Sequence, residues 1–311
     1  MAKKLAALLL LYGLLAVLAV PLMVTLAFGG FRQEAQMEAR AIYGLTDFYA
    51  GQKAPSELEA YVLGVVSAEM PASFPLEALK AQAVAARTYE LRKMEEAGSE
   101  EVLYDIGQAY CTEEERRQKW GGNYETYLAK MEEAVGQTAG EIMVYEEEPI
   151  LAVFHAQSGG RTEDSENVWV QEIPYLRGVD SEGDEEAPGF ETEARFSAEE
   201  VWRKLSQYGE LGVSAAELDF SHAERSKAGY IQTIQAGNLA LEGQQIRNAL
   251  GLRSTNFTVK RQGDEFVFTT KGYGHGAGMS QYGAKALAEE GRDYHEILLH
   301  YYTGVSFENI A

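Results

Sequence analysis

Cysteine is almost missing from this chain: Cys111 is the only one in 311 residues. No intrachain disulfide can therefore form. Basic residues are also scarce, 27 Lys and Arg against 48 Asp and Glu, for a net charge of −21. A chain this acidic lacks the basic face that a nucleic-acid partner requires. It suits a soluble domain that does not adhere to anionic surfaces. Metal-ligand spacing is lacking as well. His295 and His300 are five residues apart, which sets them about 140° apart around a helix, unlike the HExxH pattern. His155, at the end of an apolar run, reads equally well as a core histidine or as a ligand. No internal repeat is present.

Long uncharged runs are rare, with one exception. Residues 5–28 contain no charged side chain, enough helix to cross ~30 Å of hydrocarbon. Lys3 and Lys4 precede the run and Glu34 and Glu38 follow it. The positive-inside rule then places the N-terminus in the cytoplasm and the bulk of the chain outside. A cleavable signal peptide is the runner-up, but its apolar region is usually shorter. Residues 31–56 read as a juxtamembrane linker, and Ser56 with Glu59 makes a capping-box pattern for the helix that follows.

Residues 58–91 organise the remainder. Tyr61, Val62, Val65, Val66 and Glu69 recur at helical spacing, and Pro71 stops that helix. Ser73 or Phe74 is expected to cap a second helix, with Pro75 in its first turn. Leu76, Leu79, Ala83 and Ala86 then form a face of small and apolar residues, and Lys80 and Arg87 lie nearly one above the other. Thr112 with Glu115 opens a charged helix, and Asn123 starts another that ends near Gly136. EIMVY (141–145) and ILAVFH (150–155) read as a hairpin, broken at the SGG of 158–160. Residues 180–195 read as an acidic loop. Ser197 with Glu200 caps a helix to about Tyr208. Strands are expected at 229–235, 257–261 and 265–270, with turns at Gly237-Asn238 and Gly263-Asp264. Asp293 and Glu296 cap a final helix. Interspersed helices and strands imply an α+β (mixed) fold whose topology the pattern does not fix.

Two stretches carry candidate chemistry. Glu69 ends an apolar stripe, where poor solvation favours the neutral carboxyl and raises its pKa. An acid that keeps its proton near neutrality can serve as a general acid. The residues alone also allow a half-exposed glutamate with no role. The second stretch is GYGHGAGMSQYGAKALAEEG (272–291), a glycine-rich loop entering a helix. It loosely fits G-x-G-x-x-G/A, but no βαβ unit follows, so a dinucleotide cofactor is excluded. Such a loop offers donor N–H groups near a helix N-terminus, with His275, Ser280 and Gln281 as its polar side chains. Tyr175 and Arg177, two apart, would share one face of a strand and suit a sugar ring with its polar substituents, or form a plain surface pair.

In order along residues 57–305, the segments AEMPASFPLEALKAQAVAARTY (68–89), FHAQSGGRT (154–162), PYLRGV (174–179), LGLRSTNFTV (250–259) and GYGHGAGMSQYGA (272–284) closely resemble the SpoIID family. The resemblance implies a membrane-anchored peptidoglycan lytic transglycosylase acting in sporulation engulfment. Its partner would be a SpoIIP-type amidase that strips stem peptides from the glycan strands. It implies Glu69 as the catalytic acid and substrate contacts at Lys80, Arg87, Tyr175 and Arg177. Some relatives bind zinc through a His/Cys cluster. Here Ile106 and Gly107 stand where that pair would be, so neither zinc nor another cofactor is expected. A non-catalytic wall-binding amidase enhancer of the same domain is the alternative. A metal-dependent amidase built on His155, His275 and His300 lacks any ligand spacing.

Overall fold

The computed structural model describes residues 56–99, 101–102 and 107–310. The expected membrane anchor, the linker to residue 55 and Ile106 lie outside the described residues. Among the described residues no helix is long and apolar enough to cross a membrane.

Helix α1 (Ser56–Glu69) and helix α2 (Leu76–Ala97) form the centre. Leu58, Tyr61, Val62, Val65 and Val66 of α1 are all at most 1% exposed, so the sequence stripe is a buried face. Helix α2 is buried on nearly every side from Ala78 to Thr88. Its run of alanines explains this: small side chains let α1 and the later helices and strand that surround it pack closely around one axis. The break between α1 and α2 falls at Met70–Pro75 as expected. The cap differs: Pro75 itself occupies the N-cap of α2, and no side chain there bonds the first turn. Gly98 closes α2 in the left-handed conformation, φ 61°, donating to Glu95 O.

Helix α3 (Glu113–Trp120) starts at the Thr112–Glu115 capping box, and α4 (Tyr124–Gln137) follows a short 3-10 turn. Strand β1 (Glu141–Tyr145) pairs antiparallel with β2 (Glu148–Pro149) on one side. The expected long hairpin is cut short. Residues 150–153 leave the ladder, and β3 (Phe154–His155) instead pairs parallel with β10 (Met279–Ser280). On its other side β1 pairs with β11 (Ser306–Asn309).

Residues 191–271 build a core of their own around Val201, Leu205, Leu218, Ile246, Phe257 and Phe268. Strands β4 (Glu191–Ser197), β8 (Phe257–Gln262) and β9 (Glu265–Lys271) form one antiparallel sheet in the order β4-β9-β8. Strands β5 (Phe220–Arg225), β6 (Ile231–Ala236) and β7 (Leu239–Glu242) form another. Helices α5 (Ala198–Leu205) and α6 (Gly243–Leu250) pack on this core. Gly237 and Gly263, both at positive φ, turn β6 into β7 and β8 into β9. The loop expected over 180–195 is instead a 3-10 turn followed by β4. Helix α7 (Gln281–Glu289) then leads into α8 (Tyr294–Tyr301), opened by the Asp293–Glu296 capping box. Helices and strands are mixed as the α+β reading holds.

Candidate active site

Glu69 is the last residue of α1, half-buried, where the chain turns away toward Pro71. Its Oε1 accepts from the backbone N–H of Ala109 at 2.8 Å. Its Oε2 accepts from Gln281 Nε2 at 3.4 Å. Burial pushes its carboxyl above the usual range, and the two donors and the Lys119 ammonium only partly offset that. Among the described residues the charge that acts on it is that of Lys119. Lys119 of α3 is itself held at the C-terminal end of α1, donating to Ser67 O at 2.9 Å and Ala68 O at 3.2 Å, where a cation meets the negative end of the helix dipole.

The Ala109 donor is positioned by a strap, residues 107–111. Cys111 N donates to Gly64 O at 3.1 Å, and Tyr110 stacks on Tyr61 at 5.8 Å between ring centroids. Gly64 makes the close approach: a Cβ there would lie 2.1 Å from the Tyr110 ring. Gln281 is fixed from the other side. Ser280 caps α7 by accepting from Gly283 N at 3.2 Å and donates to the buried Asp184. Asp184 also accepts from Ser158 N at 2.9 Å and Ser158 Oγ at 2.6 Å. Burial still raises the Asp184 carboxyl despite these donors.

Of the residues expected beside Glu69, Gln281 alone bonds it. Arg87 does not reach a surface: it is 0% exposed. Its Nε and Nη2 donate to the Glu59 carboxylate at 2.7 and 2.6 Å, and its Nη1 to Glu141 O at 3.0 Å. A substrate contact is therefore replaced by an internal ion pair. The same pair takes Glu59 away from the expected capping box, since Glu59 also accepts from Gly140 N at 3.1 Å; the side chain of Ser56 lies outside the described residues.

Lys80 pairs with Glu77 at 2.7 Å and lies over the Tyr294 ring. Two residues from Gln82, it points about 200° around α2 from the side that meets Gln281. PYLRGV is a turn and loop, not a strand, so Tyr175 and Arg177 do not share a strand face. Tyr175 OH accepts from Leu151 N at 2.9 Å, and its ring meets Tyr145. Arg177 is caged by Glu166, Glu172 and Ser165 Oγ. It pins the loop that exposes Trp169 and Val170.

His275 is locked by backbone. Its Nδ1 accepts from Ala277 N at 3.2 Å, so Nε2 carries the proton and donates to Phe154 O at 3.0 Å. Burial holds its pKa at about 3, and that of neighbouring His155 at about 4. Both are neutral rings. His295 bonds Glu141 and His300 bonds Asp180 O, so the histidines are not gathered into one cluster. Cys111 is buried.

Sequence reasoning passed over Gln82, Lys119, Gly64 and the Ala109 N–H. Gln82 carried a signal: it is the one polar residue in the AQAVAA run of α2. The others are long-range partners with no local mark.

The SpoIID model, described as Stage II sporulation protein, matches residues 51–145. Stage II sporulation protein D of Bacillus subtilis (strain 168) is 42% identical over 259 residues, covering 79% of this chain and 73% of that protein. Stage II sporulation protein D of Bacillus amyloliquefaciens is 41% identical over 257 residues, covering 80% and 73%. The Amidase enhancer of Bacillus subtilis (strain 168) is 30% identical over 293 residues, covering 78% of this chain and 39% of that protein. With most of its folded length shared at that identity, the chain belongs to the SpoIID family of stage II sporulation proteins.

Proposed function

We propose that this chain is a peptidoglycan lytic transglycosylase with Glu69 as its single acid. The supporting observation is the carboxyl itself: half-buried, raised in pKa, held by one donor on each oxygen and, among the described residues, influenced by no second carboxylate. Glycosidases that use water ordinarily need two carboxylates. A transglycosylase needs one, because the nucleophile is the substrate's own hydroxyl. Glu69 protonates the oxygen linking N-acetylmuramic acid to N-acetylglucosamine. As carboxylate it then takes the proton from the muramyl C6 hydroxyl, which closes onto C1 to give a 1,6-anhydro end. The hydroxyl is already tethered, which supplies the proximity term.

The test is mass spectrometry of products from peptide-free glycan strands. Wild-type protein is expected to release 1,6-anhydromuramyl ends, and Glu69→Gln to be slower by ~10²–10⁴-fold, the usual worth of general acid catalysis. Absence of anhydro ends with wild type overturns the reading.

A second reading rests on the relative named Amidase enhancer: a non-catalytic wall-binding module that stimulates a hydrolase. It predicts that Glu69→Gln leaves partner stimulation unchanged. In either case we infer a single-pass anchor at residues 5–28, with the folded part outside the cytoplasmic membrane and working beside a SpoIIP-type amidase. Protease added to cells with the outer layer opened should then digest the chain beyond residue 31; full protection overturns this topology.

A further inference from the structure

Gln82 sits on α2 and is 0% exposed. Its Oε1 accepts from Gln281 Nε2 at 3.4 Å, the same nitrogen that donates to Glu69 Oε2 at 3.4 Å. An amide nitrogen has two N–H donors, and here each has its own acceptor. The other end of Gln82 is left over: its Nε2 is buried without a hydrogen-bond partner. Buried polar groups are normally paired, and an orphan donor is unfavourable. Rotating the Gln82 amide would turn that N–H toward Gln281, nitrogen against nitrogen, and remove the acceptor. The orientation found therefore serves Gln281 rather than Gln82.

We propose that Gln82 is a positioning residue for the acid: it holds the Gln281 amide with an N–H, not its carbonyl, turned toward Glu69. This rests on Glu69 being the acid proposed above. The consequence concerns where the acid's proton can lie. Ala109 N–H faces Oε1 and Gln281 N–H faces Oε2. The proton of neutral Glu69 is kept off both of those directions and must occupy a remaining lone pair. After the proton leaves, the same two donors stabilise the carboxylate. Were Gln281 to turn its carbonyl inward, that carbonyl would accept the acid's proton and hold it. The groups facing Glu69 are Gln281 from α7, with Gln82 of α2 behind it, Ala109 N–H from the strap and the Lys119 ammonium from α3, the last being the charge that acts on it among the described residues.

The experiment reads Glu69 directly and needs no glycan. Full-length protein labelled with ¹³C at glutamate carboxyls is titrated by NMR, with the Glu69 signal assigned by its loss in Glu69→Gln. Gln82→Met, near in shape but with no acceptor, is expected to raise the Glu69 midpoint by about 1–2 pH units, the scale of one lost hydrogen bond to a charged group. Gln281→Met raises it too, and Gln82→Met adds nothing in that background. Gln82→Asn, which keeps an amide but falls one methylene short, gives the same rise and serves should the Met variant not fold. An unchanged or lowered midpoint in the Gln82 variants overturns the proposal, as does a Gln82 shift that persists on top of Gln281→Met. Because no cleavage is measured, failure of the transglycosylase reading and failure of this one are told apart.

Discussion

Arg87 forks onto Glu59 inside the helix pair, two guanidinium nitrogens on one carboxylate, across 28 residues of sequence. Breaking one side of such a buried pair strands the other charge. Arg87→Ala is expected to destabilise the fold by about 3–5 kcal/mol, read from a urea or guanidinium midpoint. A stability within about 1 kcal/mol of wild type, with weakened glycan binding, would return Arg87 to the substrate role.

Gly64 tests the strap. With Tyr110 ring atoms as near as 2.1 Å to where its Cβ would be, Gly64→Ala must displace Tyr110 and with it the Ala109 N–H. Alanine also favours the helix by about 1 kcal/mol over glycine. Glycan cleavage should therefore fall several-fold while thermal stability changes little. Unimpaired cleavage would show that the strap does not position the acid.

Glu95 predicts a pH dependence. Burial, reinforced by Glu148, raises its pKa from 4.5 to about 7. A carboxyl whose folded pKa lies above its unfolded one binds more protons when folded, so stability falls as pH rises between those values. Glu95→Gln removes that slope. The melting temperature of the variant should exceed wild type at pH 8 and converge with it near pH 4. Parallel curves across that range would refute the assignment.

Arg177 is expected to act through its loop. Arg177→Ala frees Ser165 and Glu166, so hydrogen exchange should rise across residues 165–173, while Arg177→Lys restores only part of the protection because it cannot fork. Protection unchanged in Arg177→Ala would mean the loop does not depend on it.

The helix pair was legible because burial and period coincide: Tyr61, Val62, Val65 and Val66 form one stripe, and Pro71 ends it. Caps were legible where side chains make them, at Thr112, Ser197 and Asp293. Strand β4 was not, because ETEARFS has no buried residue and reads as polar loop. It is a strand only because β9 pairs with its whole length. ILAVFH reads as one strand by composition, yet Tyr302 OH and Met279 N take Val153 O, and the segment changes partners there. At the site, the position of Glu69 was readable, since its helix ends in an apolar stripe. Its donors were not: Ala109 lies 40 residues away and Gln281 lies 212, and no local pattern encodes such pairings. Arg87 misled for the same reason, its partner being invisible without the fold.

The separation between Glu69 and Gln281 has a bearing on biosynthesis. Glu69 is made early and its amide donor late, with the whole 191–271 core between them. Long-range closures of this kind form slowly, because chain entropy must be lost before the contact forms. A nascent or truncated chain lacking residue 281 has neither the Gln281 amide that donates to Glu69 nor α7 and α8, which pack on α2. If Glu69 is the acid proposed above, ribosome-bound fragments that end before residue 281 lack its amide donor.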